Sequence, residues 1–520
     1  MKKGIRVASI LLSTVIAASA MAGCAGKNAT GDAPSSTPKE AENAGPTAIS
    51  IFFEAPRAGL DRANSPILKE FERRTNTKLS ITEAPSGQGK EKLNLLVASG
   101  EVPDIIRIDS NLNLVNMHGT QGALQPLDEI MDKYMPNMKK AVNNDAWTKI
   151  KASDNKIYAA PNIRDTGYST FFIRQDWLDK LNMKAPKNLD EYYEVLKAFT
   201  EKDPDGNGKA DTIGTSMIEN MLWFELISGP FGLPQFEWVT NEDGSLIHSS
   251  VHPKMKEALA FGIKLYKDGV MSREFATMKR AQFDENLYNN RYGAVISTTS
   301  GIVKAETNLK KKIPEAKYVA VDMPVAPGIK KGITAVSSVI EGTDGKSFTS
   351  YTAISKNTKN LEKVAKFLDA FYTEEMSTLQ TFGIEGVHYT MDGKTPKFKP
   401  ELSGTGTGEA RTKEGLWDGY LIGGILDQKT YGWPQVNDAD AIKYMNASVE
   451  NSLPKKVFFS TPSGDANGPE IDKTQKEYFT KILMGGISLE DGWNQWVKEF
   501  DRLGGNKWTK EVNDIYKTRK

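Results

Sequence analysis

Oxygen-bearing side chains at alternating positions form the sharpest local motif of the chain. Residues 203–208 follow the pattern D-x-[DN]-x-[DN]-G, in which Gly208 permits a sharp turn. Carboxylate, amide and backbone carbonyl oxygens with this spacing wrap one hard cation such as Ca²⁺. The motif therefore predicts a calcium site whose ligands are Asp203, Asp205, Asn207, Asp211 and, through its backbone carbonyl, Lys209.

The predicted calcium site is weaker than a complete EF-hand loop. Gly214 occupies the twelfth position, where an EF-hand has a bidentate glutamate. We therefore expect a structural site with a dissociation constant on the order of 10⁻⁴–10⁻³ M, as in extracellular modules. The alternative interpretation is a metal-free turn whose aspartates accept hydrogen bonds from their own backbone.

Aromatic residues in loops rich in glycine and proline form a second group with chemistry of its own. A sugar ring has an apolar C–H face and a rim of hydroxyls, so its site needs an aromatic plate and convergent polar groups. We expect such plates from five residues, namely Trp223, Trp238, Trp417, Tyr431 and Trp433. The alternative for each is packing in a core, which we expect for Trp177, Trp493, Trp496 and Trp508 in or beside predicted helices.

Strands and helices alternate at the start of the folded part. Apolar and alternating runs predict strands at 48–53, 78–82 and 105–108, with a helix in each interval. This order predicts right-handed crossovers between parallel strands and therefore an α/β fold. Ligands of such sheets lie beyond the carboxyl ends of the strands, which selects Glu54 and Asp109 as candidate contacts.

Cys24 is the single cysteine among 520 residues, which excludes an intramolecular disulfide and a cysteine-based metal site. The basic start and the apolar run at 8–22, too short to span a bilayer, predict a signal peptide over residues 1–23. The run ends in Met-Ala-Gly-Cys, which predicts a palmitoylated lipid anchor at Cys24. The composition of the segment that follows cannot build a core and predicts a flexible tether over residues 24–47. The alternative is an ordinary signal peptide followed by a free thiol.

Composition excludes several classes of protein. The 67 basic and 66 acidic side chains give a net charge of +1, which argues against nucleic acid as a partner. A mean hydropathy of −0.46 argues against several membrane spans. Neither G-x-S-x-G nor H-E-x-x-H occurs, so we expect no catalytic residue and no enzymatic activity.

Several longer segments, in this order and spacing, carry a family resemblance. Among them are LNLLVASGEVPDII, GALQPLDE, YAAPNIRDTGYSTFFIRQDWLDKL and KILMGGISLEDGWNQWVKEFDRLGG. Together they resemble the extracellular solute-binding proteins of family 1, the substrate-capturing lipoproteins of ABC importers. Within that family the chain is similar to the large oligosaccharide-binding lipoproteins of Gram-positive bacteria and to alginate-oligosaccharide-binding proteins.

The resemblance implies an α/β fold of the two-lobed, periplasmic-binding-protein-like type II. Its sheets are expected to be mixed, mostly parallel and flanked by helices, with a helical C-terminal region. The first lobe is expected to take residues 48–160 and 320–372. The second is expected to take residues 161–319 and 373–520.

The resemblance also implies a function. We expect an oligosaccharide to bind between the lobes, to be enclosed by hinge closure and to be delivered to an ABC permease by a monomer anchored outside the cell membrane. Arg164 and Tyr168 follow a predicted crossing segment and are expected ligand contacts, as is Arg291. The alternatives are a secreted polysaccharide-active enzyme and a binding protein for a non-sugar solute such as a peptide.

Overall fold

The computed structural model describes most of the chain after the predicted tether. The described stretches are residues 45–54, 59–85, 88–109, 112–142, 144–164, 169–340, 347–393, 395–403, 408–426, 439–457, 459 and 461–518. The chain from Pro46 to Lys520 is one compact unit. Within the described stretches no helix combines the length and apolar character that a membrane crossing requires. Cys24 and the predicted signal peptide lie outside them.

The strands of the described stretches are short and are spread over the whole chain. They are β1 (Thr47–Phe53), β2 (Thr77–Glu83), β3 (Ile105–Asp109), β4 (Ala160–Arg164), β5 (Thr170–Arg174), β6 (Ile213–Thr215), β7 (Trp238–Thr240), β8 (Leu246–His248), β9 (Tyr292–Ser297), β10 (Tyr318–Ala320), β11 (Ala335–Ile340), β12 (Ser347–Ile354), β13 (Tyr389–Asp392), β14 (Thr395–Phe398), β15 (Ile425–Leu426) and β16 (Ser452–Lys455).

Helices separate most of these strands, and the longest described one, Pro462–Leu483, lies in the C-terminal region. They are α1 (Pro66–Thr75), α2 (Gly89–Ser99), α3 (Leu112–Thr120), α4 (Asp128–Tyr134), α5 (Pro136–Ala141), α6 (Asn144–Lys149), α7 (Gln175–Lys180), α8 (Leu189–Glu201), α9 (Glu225–Ser228), α10 (Pro253–Lys267), α11 (Arg280–Tyr288), α12 (Thr299–Leu309), α13 (Leu361–Ala370), α14 (Glu374–Phe382), α15 (Gly408–Lys413), α16 (Ala439–Glu450), α17 (Pro462–Leu483), α18 (Leu489–Arg502) and α19 (Gly505–Thr518).

The first core surrounds an eight-stranded sheet. Its main path is β15-β4-β12-β3-β1-β2, and β11 and β16 join it at β12. Strand β1 is parallel to β2 and β3, so that Ile51 lies beside Ile81 and Ile105. The predicted parallel order of the first three strands is therefore confirmed. Strand β12 runs antiparallel to both β3 and β4, which makes the sheet mixed.

The second core surrounds a four-stranded sheet in the order β10-β5-β9-β6. Only the pair β6 and β9 is parallel, while β5 is antiparallel to both of its neighbours. All five side chains of β5 are buried. Helix α8 contributes Tyr192, Leu196 and Phe199 to the same core. The mixed α/β fold predicted from the sequence is confirmed.

The chain passes between the two cores three times. Buried side chains of the first core come from 49–163 and 348–422, and those of the second from 171–326 and 444–500. Buried side chains between Met376 and Ile422 pack in the first core, whereas the expectation assigns residues 373–520 to the second lobe, and the division into lobes stays a prediction. Strand β15 pairs with β4, and this pairing holds the segment on the first sheet.

The C-terminal region is helical, as predicted, and closes one side of the second core. Ser488 caps α18 by accepting the backbone N–H of Asp491 at 3.0 Å. The helix buries Trp496, whose indole N–H donates to the carbonyl of Ser250 at 2.9 Å. Helix α19 lies beside the β7–β8 hairpin, where its Val512 packs in one cluster with Trp238 and Leu246. Helix and hairpin form part of the candidate site.

Candidate functional site

Two adjoining cavities lie between elements of the first core and the C-terminal helices. Their volumes are about 610 Å³ and 220 Å³. Asn113, Phe459 and Thr461 line both cavities. We call the two together the groove. Binding sites for small ligands commonly enclose about 300–1,000 Å³, so the groove has the size of a ligand site.

The wall that the first core contributes is polar. Its residues are Asn113, Asn116, Met117, Thr120, Thr148, Lys151, Ala152, Ser153 and Asn155. The first four lie on one face of α3, since positions i, i+3, i+4 and i+7 of a helix point in one direction. The opposite face of α3 buries Leu114 and Val115 in the first core. The helix begins three residues after β3 ends, so the sheet places this amide-rich face at the carboxyl edge of its strands.

A second wall of the groove, in its smaller cavity, is aromatic, and Asn113 is the first-core residue that lines this cavity with it. Phe236, Trp238, Phe459 and Trp508 line the smaller cavity. The rings of Trp238 and Trp508 are nearly perpendicular, with centroids 5.1 Å apart. Trp508, for which the sequence predicts core packing alone, is only partly buried and lines the groove as well. The aromatic wall and the amide wall together offer the two surfaces that a sugar ring requires.

A short hairpin positions the aromatic wall. Strands β7 and β8 pair antiparallel, with Trp238 opposite His248. The His248 ring lies 5.3 Å from the Trp238 ring and 5.5 Å from the Trp508 ring, between centroids. Burial lowers the pKa of His248 to about 4, so this imidazole is neutral at physiological pH. The tryptophans are therefore backed by an uncharged, packed side chain.

An ion pair lies next to the aromatic wall. Glu237 Oε1 is 2.9 Å from Lys455 Nζ, and both residues line the smaller cavity. The backbone N–H of Glu237 donates to Ser249 Oγ at 3.1 Å, which ties the pair to the β7–β8 hairpin. The carboxylate and the ammonium therefore neutralise each other at the wall of the groove.

A buried carboxyl group lies behind the same segment. Glu225 is 6% exposed, and its Oε1 accepts the backbone N–H of Gln235 at 2.9 Å. Burial raises the pKa of Glu225 to about 7, and the negative charge of Glu237 adds to the shift. The charge of Glu225 therefore changes near neutral pH. Gln235, which donates to Glu225, lies two residues before Glu237 of the ion pair.

The two acids selected at the strand ends lie together at the edge of the first sheet. Glu54 Oε2 accepts the backbone N–H of Asp109 at 2.9 Å, and burial raises the pKa of Glu54. Asp109 Oδ1 in turn accepts from the buried Arg107 at 2.8 Å. The strand ends bring both acids together as expected, but neither lines the groove, and their role as ligand contacts stays a prediction.

The structure places the other expected contacts elsewhere. Trp223 is buried in the second core, where its ring lies 4.7 Å from that of Phe283, so it does not line the groove. Trp417 lies in a 3₁₀ turn, Leu416–Tyr420, of the first core, and Arg291 lies next to the predicted calcium loop. The side chain of Arg164 and the residues Tyr168, Tyr431 and Trp433 lie outside the described part of the chain.

The predicted calcium loop is folded by its own hydrogen bonds. The carboxylate of Asp203 accepts the backbone N–H groups of Asn207 at 3.2 Å and Gly208 at 2.9 Å. The bond from Gly208 lowers the pKa of Asp203, whereas burial raises the pKa of Asp205. The amide nitrogen of Asn207 lies 2.9 Å from Asp205 Oδ2 and 3.2 Å from Asp211 Oδ1.

This geometry matches the metal-free turn. The carboxylates of Asp205 and Asp211 converge on one amide donor, that of Asn207. Rotation of the Asn207 amide would replace that donor by an oxygen. Within the described residues, no cluster of three or more His, Cys, Asp or Glu side chains is arranged around a metal position.

A chain of buried polar contacts connects this loop to the second core. Asp205 Oδ2 accepts from Asn290 Nδ2 at 3.0 Å, and Asn290 Oδ1 accepts from Arg174. Arg174 is fully buried on β5 and donates to both carboxylate oxygens of Asp176, at 2.8 and 2.6 Å. The loop is therefore fastened to the central strand of its sheet.

Sequence reasoning missed several residues that line the groove, among them Asn113, Phe459 and Trp508. The polar face of α3 carries only a weak signal, since polar residues opposite an apolar stripe are usual on a helix that packs against a core. Phe459 and Trp508 carry no local signal, because only the tertiary structure brings them to Trp238.

Comparisons with known proteins agree on one family and one fold. The family model described as bacterial extracellular solute-binding protein matches residues 59–377. Two proteins of Bacillus subtilis (strain 168) are each 27% identical. The polygalacturonan/rhamnogalacturonan-binding protein YtcQ aligns over 87% of this chain and 88% of its own, and the lipoprotein LipO over 88% and 89%.

A third relative has also been solved as a structure. The fructooligosaccharide ABC transporter substrate-binding protein FusA of Streptococcus pneumoniae is 26% identical over 86% of both chains. A structure of its EF-hand mutant with fructo-nystose covers 91% of this chain and 99% of its own, with 21% identity and a TM-score of 0.69. The alginate-binding protein AlgQ2 without calcium ion has the same coverage and identity and a TM-score of 0.70.

Proposed function

This chain belongs to the bacterial extracellular solute-binding proteins, and from this premise we propose that it captures an oligosaccharide for an ABC importer. The observation that carries the proposal is the groove, in which an aromatic wall adjoins an amide-rich wall. Aromatic rings stack on the C–H faces of sugars, while amides and hydroxyls both donate to and accept from sugar hydroxyls. The names of two relatives, a polygalacturonan-binding protein and a fructooligosaccharide-binding protein, support the same class of ligand.

The two cores provide a means of enclosing the ligand. We propose that each core is the centre of one lobe and that the three crossings are the hinge. Asn113 belongs to a helix of the first core, while Trp238 and Trp508 pack with the C-terminal helices. A ligand that contacts both sides favours the closed arrangement by the difference in its binding free energy between the two states. We propose that the closed monomer then delivers its ligand to the permease.

The test is capture without turnover. Purified residues 25–520 are applied to a glycan array, and hits are measured by calorimetry and by tryptophan fluorescence. We expect saturable binding and a fluorescence change, because Trp238 and Trp508 line the groove. The ligand should be recovered intact. Release of reducing ends over time, or absence of any oligosaccharide hit, would overturn the proposal.

We propose in addition that the loop at 203–211 binds Ca²⁺ in a structural role. The oxygens of Asp203, Asp205, Asn207 and Asp211 and the carbonyl of Lys209 would hold the ion. The convergence of two carboxylates on one amide supports this donor set. Because the loop is fastened to Arg174 through Asn290, the ion would stabilise the second core and not contact the sugar.

We propose that Cys24 carries the lipid that holds the protein at the outer face of the cell membrane. The motif at the end of the predicted signal peptide supports this, as does a relative named as a lipoprotein. The Cys24→Ala variant is expected to leave the cell surface and to incorporate no labelled palmitate. Surface retention of that variant would contradict the anchor.

A further inference from the structure

The described lining of the groove holds the ion pair of Glu237 and Lys455 and one further cation, Lys151, and this arrangement bears on the class of sugar. We propose that the groove selects an uncharged oligosaccharide over a chain of uronic acids, with Glu237 as the specificity-determining residue. This inference rests on the proposed function and refines it. It decides between the two ligand chemistries, acidic and neutral, that the names of the relatives leave open.

Lys455 is a cation that a ligand in the groove would meet. It lies on β16 and lines the smaller cavity, where its Nζ is 2.9 Å from Glu237 Oε1. The side chains are 35% and 24% exposed, so a ligand can reach both groups. A uronate carboxylate approaching Lys455 would meet the negative charge of Glu237 at the same place. Like charges at an interface act against the wrong ligand.

The backbone of Glu237 is held by two hydrogen bonds. Its N–H donates to Ser249 Oγ at 3.1 Å, and its carbonyl accepts the N–H of Ser249 at 2.8 Å. Trp238 follows it directly in the chain and lines the same cavity. The backbone that carries the Glu237 carboxylate is therefore fixed to the hairpin beside the aromatic wall.

Lys151 is the other cation of the described lining. It already interacts with a neighbouring group. At the end of β3, Arg107 forms an ion pair with Asp109, and Nη1 lies 2.8 Å from Oδ1. Arg291, whose guanidinium would suit a uronate, lies beside the calcium loop and lines neither cavity.

In place of charge, the lining offers uncharged polar groups. Its polar groups are mostly amides and hydroxyls, from Asn113, Asn116, Thr120, Thr148, Ser153, Asn155 and Thr461. Such groups donate and accept, which matches sugar hydroxyls, whereas a carboxylate only accepts. Removing a uronate charge from water requires a cation that is not already neutralised, and arginine is the residue best suited to it.

The experiment compares ligands that differ only in charge. Calorimetry at low salt measures wild-type binding of trigalacturonate and of its fully methyl-esterified form, beside a panel of neutral oligosaccharides. We expect neutral hits, and the ester to bind at least about tenfold more tightly than the acid, or the acid to show no binding while neutral sugars bind. Tighter binding of the acid than of its ester and of every neutral sugar would overturn the inference but leave the proposed function standing. Absence of any oligosaccharide binding would overturn both.

Variants test the role of Glu237. Glu237→Gln frees Lys455 and is expected to raise the affinity for trigalacturonate about tenfold, with neutral affinity changed less than about threefold. Glu237→Gln combined with Lys455→Gln should lose that gain, because the gain comes from the freed ammonium. Glu242→Gln removes the same charge from an exposed position of the same hairpin and is the matched control. An equal gain in the control variant, or none in Glu237→Gln, would overturn the role of Glu237.

Discussion

The calcium loop and the groove are both polar sites, but they are assembled in opposite ways. The loop consists of nine consecutive residues, 203–211, and its internal hydrogen bonds join residues two to five positions apart. The groove joins residues as distant in sequence as Asn113 and Trp508. The loop is thus shaped by its own sequence, whereas the groove exists only when both cores and the C-terminal helices are in place.

This difference has a consequence for how each site responds to change. A local site contributes stability where it lies, so its loss lowers the free energy of unfolding without altering distant geometry. A site made from separate elements depends on their relative placement, and binding there alters that placement in return. We therefore expect calcium to act on stability and the sugar to act on conformation.

The largest effect on stability is expected from Glu225, the buried carboxyl group behind the groove. The pKa of Glu225 is raised from 4.5 to about 7 in the folded protein. Its contribution to stability is therefore complete below about pH 4.5 and is lost as the pH rises through 7. Glu225→Gln, which cannot ionise, should be more stable than the wild type by roughly 3 kcal/mol at pH 8.5 and about equal at pH 4.5.

Urea unfolding at the two pH values measures this difference. Glu242→Gln, exposed on the β7–β8 hairpin, serves as the control and should show no such pH dependence. A constant difference between Glu225→Gln and the wild type at both pH values would show that Glu225 does not titrate behind the groove.

The next effect concerns the aromatic wall. Trp508→Ala removes a ring that faces the ligand and should weaken oligosaccharide binding about 30-fold, which corresponds to about 2 kcal/mol of lost apolar contact. Trp223→Phe, within the second core, should leave the affinity unchanged although it lowers stability. Calorimetry with the tightest array hit measures both. Equal losses in the two variants would remove the distinction between groove and core tryptophans.

Calcium is expected to have an effect of comparable size, on stability alone. With a dissociation constant of about 10⁻⁴–10⁻³ M, 10 mM Ca²⁺ should add about 1.4–2.7 kcal/mol to the free energy of unfolding of EDTA-treated protein. The double variant Asp203→Asn, Asp211→Asn should lose this gain and keep its affinity for the sugar. A melting temperature that is the same in EDTA and in Ca²⁺ would refute the calcium site.

The smallest effect is expected from one backbone position of the loop. Gly208 has φ +75° in open space, and Gly485 has φ +76° in open space at the end of α17. Alanine at either position should cost about 1 kcal/mol, since a side chain disfavours left-handed backbone. Only Gly208→Ala should also alter the calcium response, as thermal melts with and without Ca²⁺ would show. An unchanged response would mean that the turn at Gly208 does not shape the site.

The same contrast explains how much of the protein could be predicted from its sequence. The loop and the first three parallel strands follow from local patterns, and the structure contains both. Trp223 illustrates the limit, because the segment that holds it is rich in glycine and proline and predicts a loop, yet the ring is buried. Its burial depends on Phe283, sixty residues away, which no local pattern reveals.

The division into cores shows the same limit on a larger scale. Short extended runs at 156–161 and 318–324 predict the first two crossings, and the division into lobes stays a prediction. The third lies after Ile422 because β15 pairs with β4, and a two-residue strand leaves no signal in the sequence. Long-range pairing of this kind is decided by the assembled sheet and not by the propensity of the segment itself.

The interleaving of the two cores also sets the order in which this chain can fold as it emerges from a translocation pore. The sheet of the first core remains incomplete until Ser347–Ile354, Ile425–Leu426 and finally Ser452–Lys455 have emerged, although its first strand begins at Thr47. The edges of β1–β3 therefore stay exposed until the later strands of the sheet have emerged. This delay favours association with other chains. A truncated product ending before β12 would lack the centre of that sheet, so quality control outside the cell would meet it as an aggregation-prone fragment and not as a free-standing lobe.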